Sequence, residues 1–216
     1  MQPGKVICVG QNYRAHREEM KGHEVWVPTL FGKFAQTVIG GGEAIVLPHD
    51  STHVDAEAEL AVVIGKTVRR VSREKALDAV AGYVCANDVS ARDVQYGEGG
   101  QYFRGKNFET FCPVGPEEPV SVKELGDGSG LRVMQLLNGK VMQDGNTDQL
   151  IFDVPYLVAF ASNALTLEPG DLILTGTPAG VGYARDPKVP LKPGDVVEVR
   201  VEGISTLTNP VVAEDA

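Results

Sequence analysis

The spacing of glycine and proline constrains this chain more than any other feature of its sequence. Twenty-five glycines and 13 prolines among 216 residues cut the apolar sequence into short runs, and few intervals are long enough and periodic enough to be helices. The expectation is a mainly β, α+β fold of short strands with a few short helices. Strands are predicted at 5–9, 38–47, 57–65, 82–87, 131–137, 171–175 and 195–202. Residues 73–81 follow Ser72, a good N-cap, and stop at Gly82, so they are predicted helical. A second helix is predicted to start at Pro155 behind Asp153 and to run to Leu165, and a third would cover 13–20. Asn138-Gly139 is the strongest hairpin signal. The segment Leu-Glu-Pro-Gly-Asp at 167–171 returns as Leu-Lys-Pro-Gly-Asp at 191–195, each copy a turn leading into a strand. No linker-like stretch divides the chain, so residues 1–216 are expected to form one domain.

Apolar residues at 43% and charged residues at 23% are ordinary for a globular protein. With 29 acidic against 20 basic residues the net charge is −9, which repels nucleic acid and anionic membranes alike. The densest basic spot, Lys66 with Arg69, Arg70 and Arg73, is interrupted by uncharged residues and reads as a strand end and helix start. The N-terminal apolar run is too short for a signal peptide and no span of about 18 apolar residues occurs; a cytoplasmic protein is expected. Cys8, Cys85 and Cys112 are far apart, without metal-ligand spacing, and read as buried free thiols.

The segment from Val54 to Gly65 reads as a strand buried on both sides, because Leu60, Val62 and Ile64 alternate with Ala61 and Val63. Side chains two apart share a face, so Glu57 and Glu59 project together. Two neighbouring carboxylates entering a buried strand repel each other and are costly to desolvate, and a divalent cation would compensate both terms. Asp88 ends the strand-like run Gly82 to Asn87 and could supply a third oxygen ligand, a donor set suited to Mg²⁺, Mn²⁺ or Ca²⁺ rather than zinc. The pattern also fits a solvated strand edge with Asp88 capping a helix.

Near the N-terminus the apolar run Val6 to Val9 ends at Gly10 and leads into the segment 13–20. If that segment is helical, His16 and Glu19 share a face, and a carboxylate holding one imidazole nitrogen leaves the other free as a base. The same spacing fits a surface helix with a routine charge pair. His23, His49 and His53 show no ligand spacing and read as loop or surface residues.

Six ordered blocks then become recognisable: Gly10-Gln11-Asn12-Tyr13-x-x-His16-x-x-Glu19, Asp55-x-Glu57-x-Glu59, Asn87-Asp88-x-x-x-Arg92-Asp93, Arg104-Gly105-Lys106-x-Phe108, Cys112-Pro113-x-Gly115-Pro116 and Thr175-Gly176-Thr177-Pro178-x-Gly180-x-Gly182. Together they cover nearly the whole chain, which resembles the fumarylacetoacetate hydrolase family. The resemblance implies a mixed β-sandwich roll, a homodimer, and Mg²⁺ or Mn²⁺ held by Glu57, Glu59 and Asp88. It implies a water-activating dyad of His16 and Glu19, a charge-stabilising Lys106, and a site lined by Arg92, Gln95 and Thr177. The reaction it implies first is hydrolysis of the C–C bond in acylpyruvates, small 3-acyl-2-oxo acids, through a metal-stabilised pyruvate enolate. The alternatives are isomerase or decarboxylase chemistry on an unsaturated 2-oxo diacid, oxaloacetate decarboxylation or tautomerisation, and, from another class, metal or ligand binding without catalysis. Gly176, Gly180 and Gly182 are expected to bring backbone N–H groups to the substrate carboxylate, and the glycine-rich 95–105 to form a loop over the site. Lys33 is followed by Phe34 where relatives often carry proline.

Overall fold

The computed structural model describes residues 2–23, 26–97 and 99–215. In chain order the strands are β1 (Val6–Gly10), β2 (Thr29–Lys33), β3 (Val38–Ile39), β4 (Ile45–Leu47), β5 (Val54–Asp55), β6 (Ala58–Ile64), β7 (Val80–Asn87), β8 (Ser90–Ala91), β9 (Cys112–Ser121), β10 (Arg132–Leu137), β11 (Lys140–Asn146), β12 (Leu172–Leu174), β13 (Val196–Val201) and β14 (Leu207–Ala213). The helices are α1 (Arg14–Glu19), α2 (Arg92–Gly97), α3 (Tyr102–Lys106), α4 (Val122–Leu125) and α5 (Val154–Ala164). A seven-stranded mixed sheet runs β2-β1-β12-β6-β7-β9-β3 and a five-stranded sheet runs β11-β10-β13-β14-β4, while β5 and β8 form a small ribbon.

Strand β6 sits at the centre of the larger sheet, and its sequence explains why. Ala58, Leu60, Val62 and Ile64 enter one core with Val133, Val199 and Val201 of the second sheet and Leu157, Val158 and Ala161 of α5. Ala61 and Val63 enter the opposite cluster with Val6, Cys8, Val84, Cys112 and Leu174. A strand apolar on both faces belongs in the middle of a sheet, where each buried Val, Leu or Ile contributes about 1.5–3 kcal/mol. All three cysteines are buried free thiols, as expected.

Local signals are realised where their chemistry is self-contained. The Asp153 side chain accepts the Tyr156 N–H and starts α5, with Pro155 in its first turn. Asn138 and Gly139, both at positive φ, close the β10–β11 hairpin between Leu137 and Lys140. The repeated Pro-Gly-Asp turns are one device used twice. Asp171 accepts the Glu168 N–H at 2.7 Å, Asp195 accepts the Lys192 N–H at 2.8 Å, and each turn feeds a strand, β12 or β13.

Three expectations are corrected. Residues 38–47 are not one strand: after β3 the Gly40-Gly41-Gly42 turn, with Gly42 at φ +85°, carries the chain to β4 in the other sheet. Residues 73–79 form a 3₁₀ helix, and Gly82 lies inside β7 rather than capping a helix, because a Cβ there would run into the Val120 carbonyl of β9. The glycine-rich stretch is not a loop throughout, since α2 and α3 occupy most of its described residues.

Candidate functional site

Sheet register assembles the three carboxylates. Ala58 pairs with Asn87 and Glu59 with Ala86, so Glu57, just before β6, lies across from Asp88, just after β7. The Asp88 N–H donates to the Glu57 carbonyl at 2.9 Å, and Asn87 Oδ1 accepts the Glu57 N–H at 3.0 Å, closing the corner. Ligand oxygens of Glu57, Glu59 and Asp88 all lie within 4.8 Å of one another. The three residues are 5%, 2% and 1% exposed. A solvated edge is therefore excluded, and Asp88 caps no helix: it leads into β8, with α2 starting only at Arg92.

Buried cations pair with two of these carboxylates but not with the third. Arg92 donates Nε to Asp55 at 2.7 Å and Nη2 to Glu57. Lys106 Nζ bridges Glu57 Oε2 and Asp88 Oδ2, at 2.7 Å each. Lys33 Nζ donates to Asp88 Oδ1 at 2.6 Å and to the Val89 carbonyl at 3.1 Å. The result is an alternating chain, Asp55, Arg92, Glu57, Lys106, Asp88 and Lys33, in which every charge has an opposite neighbour. Burial disfavours ionised Glu57, yet Arg92 and Lys106 outweigh it and hold that carboxyl well below the usual range. Burial likewise disfavours charged Lys106, but Asp88 and Glu57 raise its pKa above the ordinary lysine value.

Glu59 is the exception. Among the described residues its carboxylate accepts one hydrogen bond, from the Gly176 N–H at 2.6 Å, and has no cationic partner. Burial, then the charges of Asp88 and Glu57, push its pKa well above the carboxylate range. Isolated buried carboxylates of this kind are costly. The donor set therefore fits a divalent ion: three oxygen ligands close together, with one negative charge left over for the ion to neutralise.

The second constellation sits on α1. Asn12 holds that helix in place, its side chain donating to the Phe152 and Thr175 carbonyls at 2.9 and 2.8 Å and accepting the Phe152 N–H at 2.9 Å. His16, 4% exposed, places Nδ1 2.7 Å from Glu19 Oε1 and Nε2 3.9 Å from Glu57 Oε1. The pair is therefore not a surface charge pair; its imidazole points at the carboxylate cluster. Glu19 is itself fixed by the Gly180 N–H, at 3.1 and 2.9 Å from its two oxygens.

The glycine segment thus differs from expectation in what it binds. The N–H groups of Gly176 and Gly180 are spent on Glu59 and Glu19, and not on an open carboxylate position. Both residues lie at φ above +100° with backbone or Asn12 pressed where a Cβ would be, so only glycine brings the amides this close. Gly182 packs against the Val189 carbonyl and Asp55. Thr177 lines the cleft, but its hydroxyl already donates to the Ala58 carbonyl at 2.8 Å and accepts from Gln143 at 2.7 Å.

His16, the three carboxylates, Arg92, Gln95, Lys106 and Thr177 line one cleft, together with the apolar side chains of Met20 and Phe31 and the ring of Tyr102. Gln95 is 2% exposed and accepts from Arg92 at 3.3 Å. Sequence reasoning assigned no role to Lys33, although a lysine at the end of the apolar run Leu30-Phe31-Gly32 is a signal of a buried, paired cation. It also passed over Asp55, which anchors Arg92, and over Tyr96 and Tyr102, which the cleft brings in from α2 and α3.

Known proteins resemble this chain in both sequence and fold. The chain is 44% identical over 211 residues to an oxaloacetate tautomerase of Xenopus laevis, designated mitochondrial, covering 97% of this chain and 66% of that protein. It spans about two thirds of the length of such curated relatives. A solved 5-carboxymethyl-2-hydroxymuconate delta-isomerase from Mycobacterium smegmatis superposes with a TM-score of 0.87 at 43% identity, covering 100% of this chain and 81% of that one. A solved fumarylacetoacetate hydrolase from Exiguobacterium antarcticum gives a TM-score of 0.89 at 40% identity, covering 99% and 76%. The family model for the fumarylacetoacetate hydrolase C-terminal region matches residues 5–212, so this chain belongs to the fumarylacetoacetate hydrolase family.

Proposed function

We propose that the protein is a divalent-metal tautomerase or isomerase that moves a proton next to the carbonyl of a small 2-oxo acid, with oxaloacetate as the first substrate to test. The observation that carries this reading is the placement of His16 Nε2 beside Glu57 while Glu19 holds Nδ1. Names among the relatives, oxaloacetate tautomerase and a muconate delta-isomerase, favour this over acylpyruvate hydrolysis as the main activity. Glu57, Glu59 and Asp88 would hold Mg²⁺ or Mn²⁺. Such an ion polarises a 2-oxo group and lowers the cost of negative charge developing on its oxygen.

The chain's own groups supply the rest. Nδ1–H donated to Glu19 leaves a lone pair on Nε2, aimed into the cleft. From there the imidazole takes the proton from C3 of the keto acid, the C3–H electrons become the C2–C3 double bond, and the carbonyl electrons go to O2. Returning the proton to O2 gives the enol, and the reverse path gives the ketone. Lys106, held protonated by Asp88 and Glu57, adds fixed positive charge at the same place. Met20, Phe31 and Tyr102 line the same cleft as His16. Hydrolysis stays a second reading because the His16–Glu19 dyad could also activate water.

The test follows loss of the ultraviolet absorbance of enol-oxaloacetate with Mg²⁺ or Mn²⁺, with and without chelator, alongside cleavage of acetylpyruvate. Metal-dependent ketonisation that outpaces acetylpyruvate cleavage supports the proposal. Turnover of acetylpyruvate alone would return the reading to hydrolysis, and turnover of neither would favour a binding protein.

A further inference from the structure

We propose that Lys106 keeps the ion's place: its ammonium neutralises Glu57 and Asp88 in the metal-free protein and turns from them toward the Phe31 ring when a divalent ion takes their oxygens, an exchange that rests on the metal reading above and couples ion binding to the position of one lysine.

All four carboxylate oxygens of Glu57 and Asp88 are held by cations. Arg92 donates to Oε1 of Glu57, Lys33 donates to Oδ1 of Asp88, and Lys106 Nζ stands 2.7 Å from Oε2 of the first and 2.7 Å from Oδ2 of the second. These two residues, with Glu59, are the same donors that would hold an ion. Asp55, Glu57 and Asp88 already balance Arg92, Lys106 and Lys33, which leaves the charge of Glu59 to be offset. A divalent ion brings two positive charges. One cation is then in excess, in an interior where like charges at contact distance repel strongly.

Lys106 is the cation free to yield. Lys33 Nζ also donates to the neutral Val89 carbonyl at 3.1 Å, and its side chain is fully buried. Arg92 stays tied to Asp55 through Nε and to Gln95 through Nη1. Among the described residues Lys106 donates to no neutral acceptor, only to the two carboxylates, and it lines the cleft. A second seat stands beside it. Lys106 Nζ is 5.4 Å from the centroid of the Phe31 ring, which lines the same cleft and attracts a cation over its face. Tyr102, one turn earlier on α3, stacks on Phe31 at 4.7 Å with 12° between planes and fixes that ring. The ammonium changes partners without leaving the cleft. Neither carboxylate is stranded, because the ion takes over the charge that Lys106 gives up.

Calorimetric titration of wild type and Lys106→Met with Mn²⁺, joined to trace acetylation of the wild-type lysines read by mass spectrometry with and without Mn²⁺, tests the exchange. Lys106→Met removes the competing charge and should bind Mn²⁺ about tenfold more tightly than wild type. In wild type, Mn²⁺ should raise acetylation at Lys106 several-fold, while Lys33 stays protected and serves as the internal reference. Mn²⁺ binding by wild type without a rise at Lys106 would overturn the exchange and leave the metal reading standing, as would equal or weaker binding by folded Lys106→Met. If neither protein binds Mn²⁺, the metal reading falls and the exchange falls with it. Acetylation uses wild type alone and decides the exchange even where the variant does not fold.

Discussion

Replacing Glu59 with Gln separates the cost of its charge from the value of its position. In the metal-free protein this carboxylate is 2% exposed, has one hydrogen bond among the described residues and faces the negative charges of Asp88 and Glu57. Gln has nearly the same shape and its carbonyl can still accept the Gly176 N–H, so Glu59→Gln removes the repulsion without opening a cavity. Metal-free Glu59→Gln should therefore melt at the same temperature as wild type or a few degrees higher. A divalent ion reverses the ranking. At an ion concentration roughly 100 times Kd, binding to the folded state alone adds about 2.7 kcal/mol, and a domain of this size shifts by roughly 2–4 °C per kcal/mol. Wild type should thus gain about 5–11 °C with Mn²⁺, and Glu59→Gln should gain little. Thermal denaturation at matched pH with chelator or Mn²⁺ reads both effects. A metal-free variant destabilised by more than about 5 °C, or one showing the full wild-type metal shift, would refute the claim that Glu59 carries the unpaired charge an ion neutralises.

His16→Ala should keep the Mn²⁺ thermal shift but lose about 10²- to 10⁴-fold in metal-dependent ketonisation of oxaloacetate, the usual scale of a positioned acid–base group; wild-type turnover by the variant would remove His16 from the proposal. Lys33→Met leaves Asp88 with one of its two cations and buries a methionine where an ammonium stood 2.6 Å from that carboxylate; a loss of roughly 3–5 kcal/mol is expected in chemical denaturation, and an unchanged midpoint would show that Lys106 alone suffices. Gly180→Ala presses a Cβ into the Met142 carbonyl at φ +106° and pulls an amide off Glu19; ketonisation should fall while the metal shift persists, and the idea fails if the two fall together.

How much of this was legible in the sequence follows from the range of each interaction. The two-sided apolar pattern of β6, the Asp153 cap, the Asn138-Gly139 hairpin and the repeated Pro-Gly-Asp turns are settled within a few residues, and each folds as its local chemistry requires. Glu57 and Glu59 could be placed on one face for the same reason. The long strand expected at 38–47 failed because apolar content was read across a triple-glycine turn. Gly82 was read as a cap because the strand that presses on it, β9, is more than thirty residues away in sequence. For Lys33 the apolar run before it could signal a buried cation, but nothing within its strand reveals that Asp88, 55 residues on, is its partner. The glycines of 176–182 did signal close backbone approach, but which carboxylate each amide would meet depends on two further segments of chain.

The centre divides into a part that needs no ion and a part that does. Asp55, Arg92, Glu57, Lys106, Asp88 and Lys33 neutralise one another in sequence, so their geometry is held by mutual attraction in a low-dielectric interior where breaking any one pair strands a buried charge. Among the described residues Glu59 lies outside that chain of charges, and His16 approaches it through Glu57, at 3.9 Å. On the proposed function, ion affinity and proton transfer would depend on different residues, the carboxylates at the β6–β7 corner and His16 on α1. Such a separation would let the same carboxylate frame serve proton transfer or hydrolysis, according to what His16 Nε2 meets in the cleft. In this chain His16 shares its cleft with Met20, Phe31, Tyr96 and Tyr102.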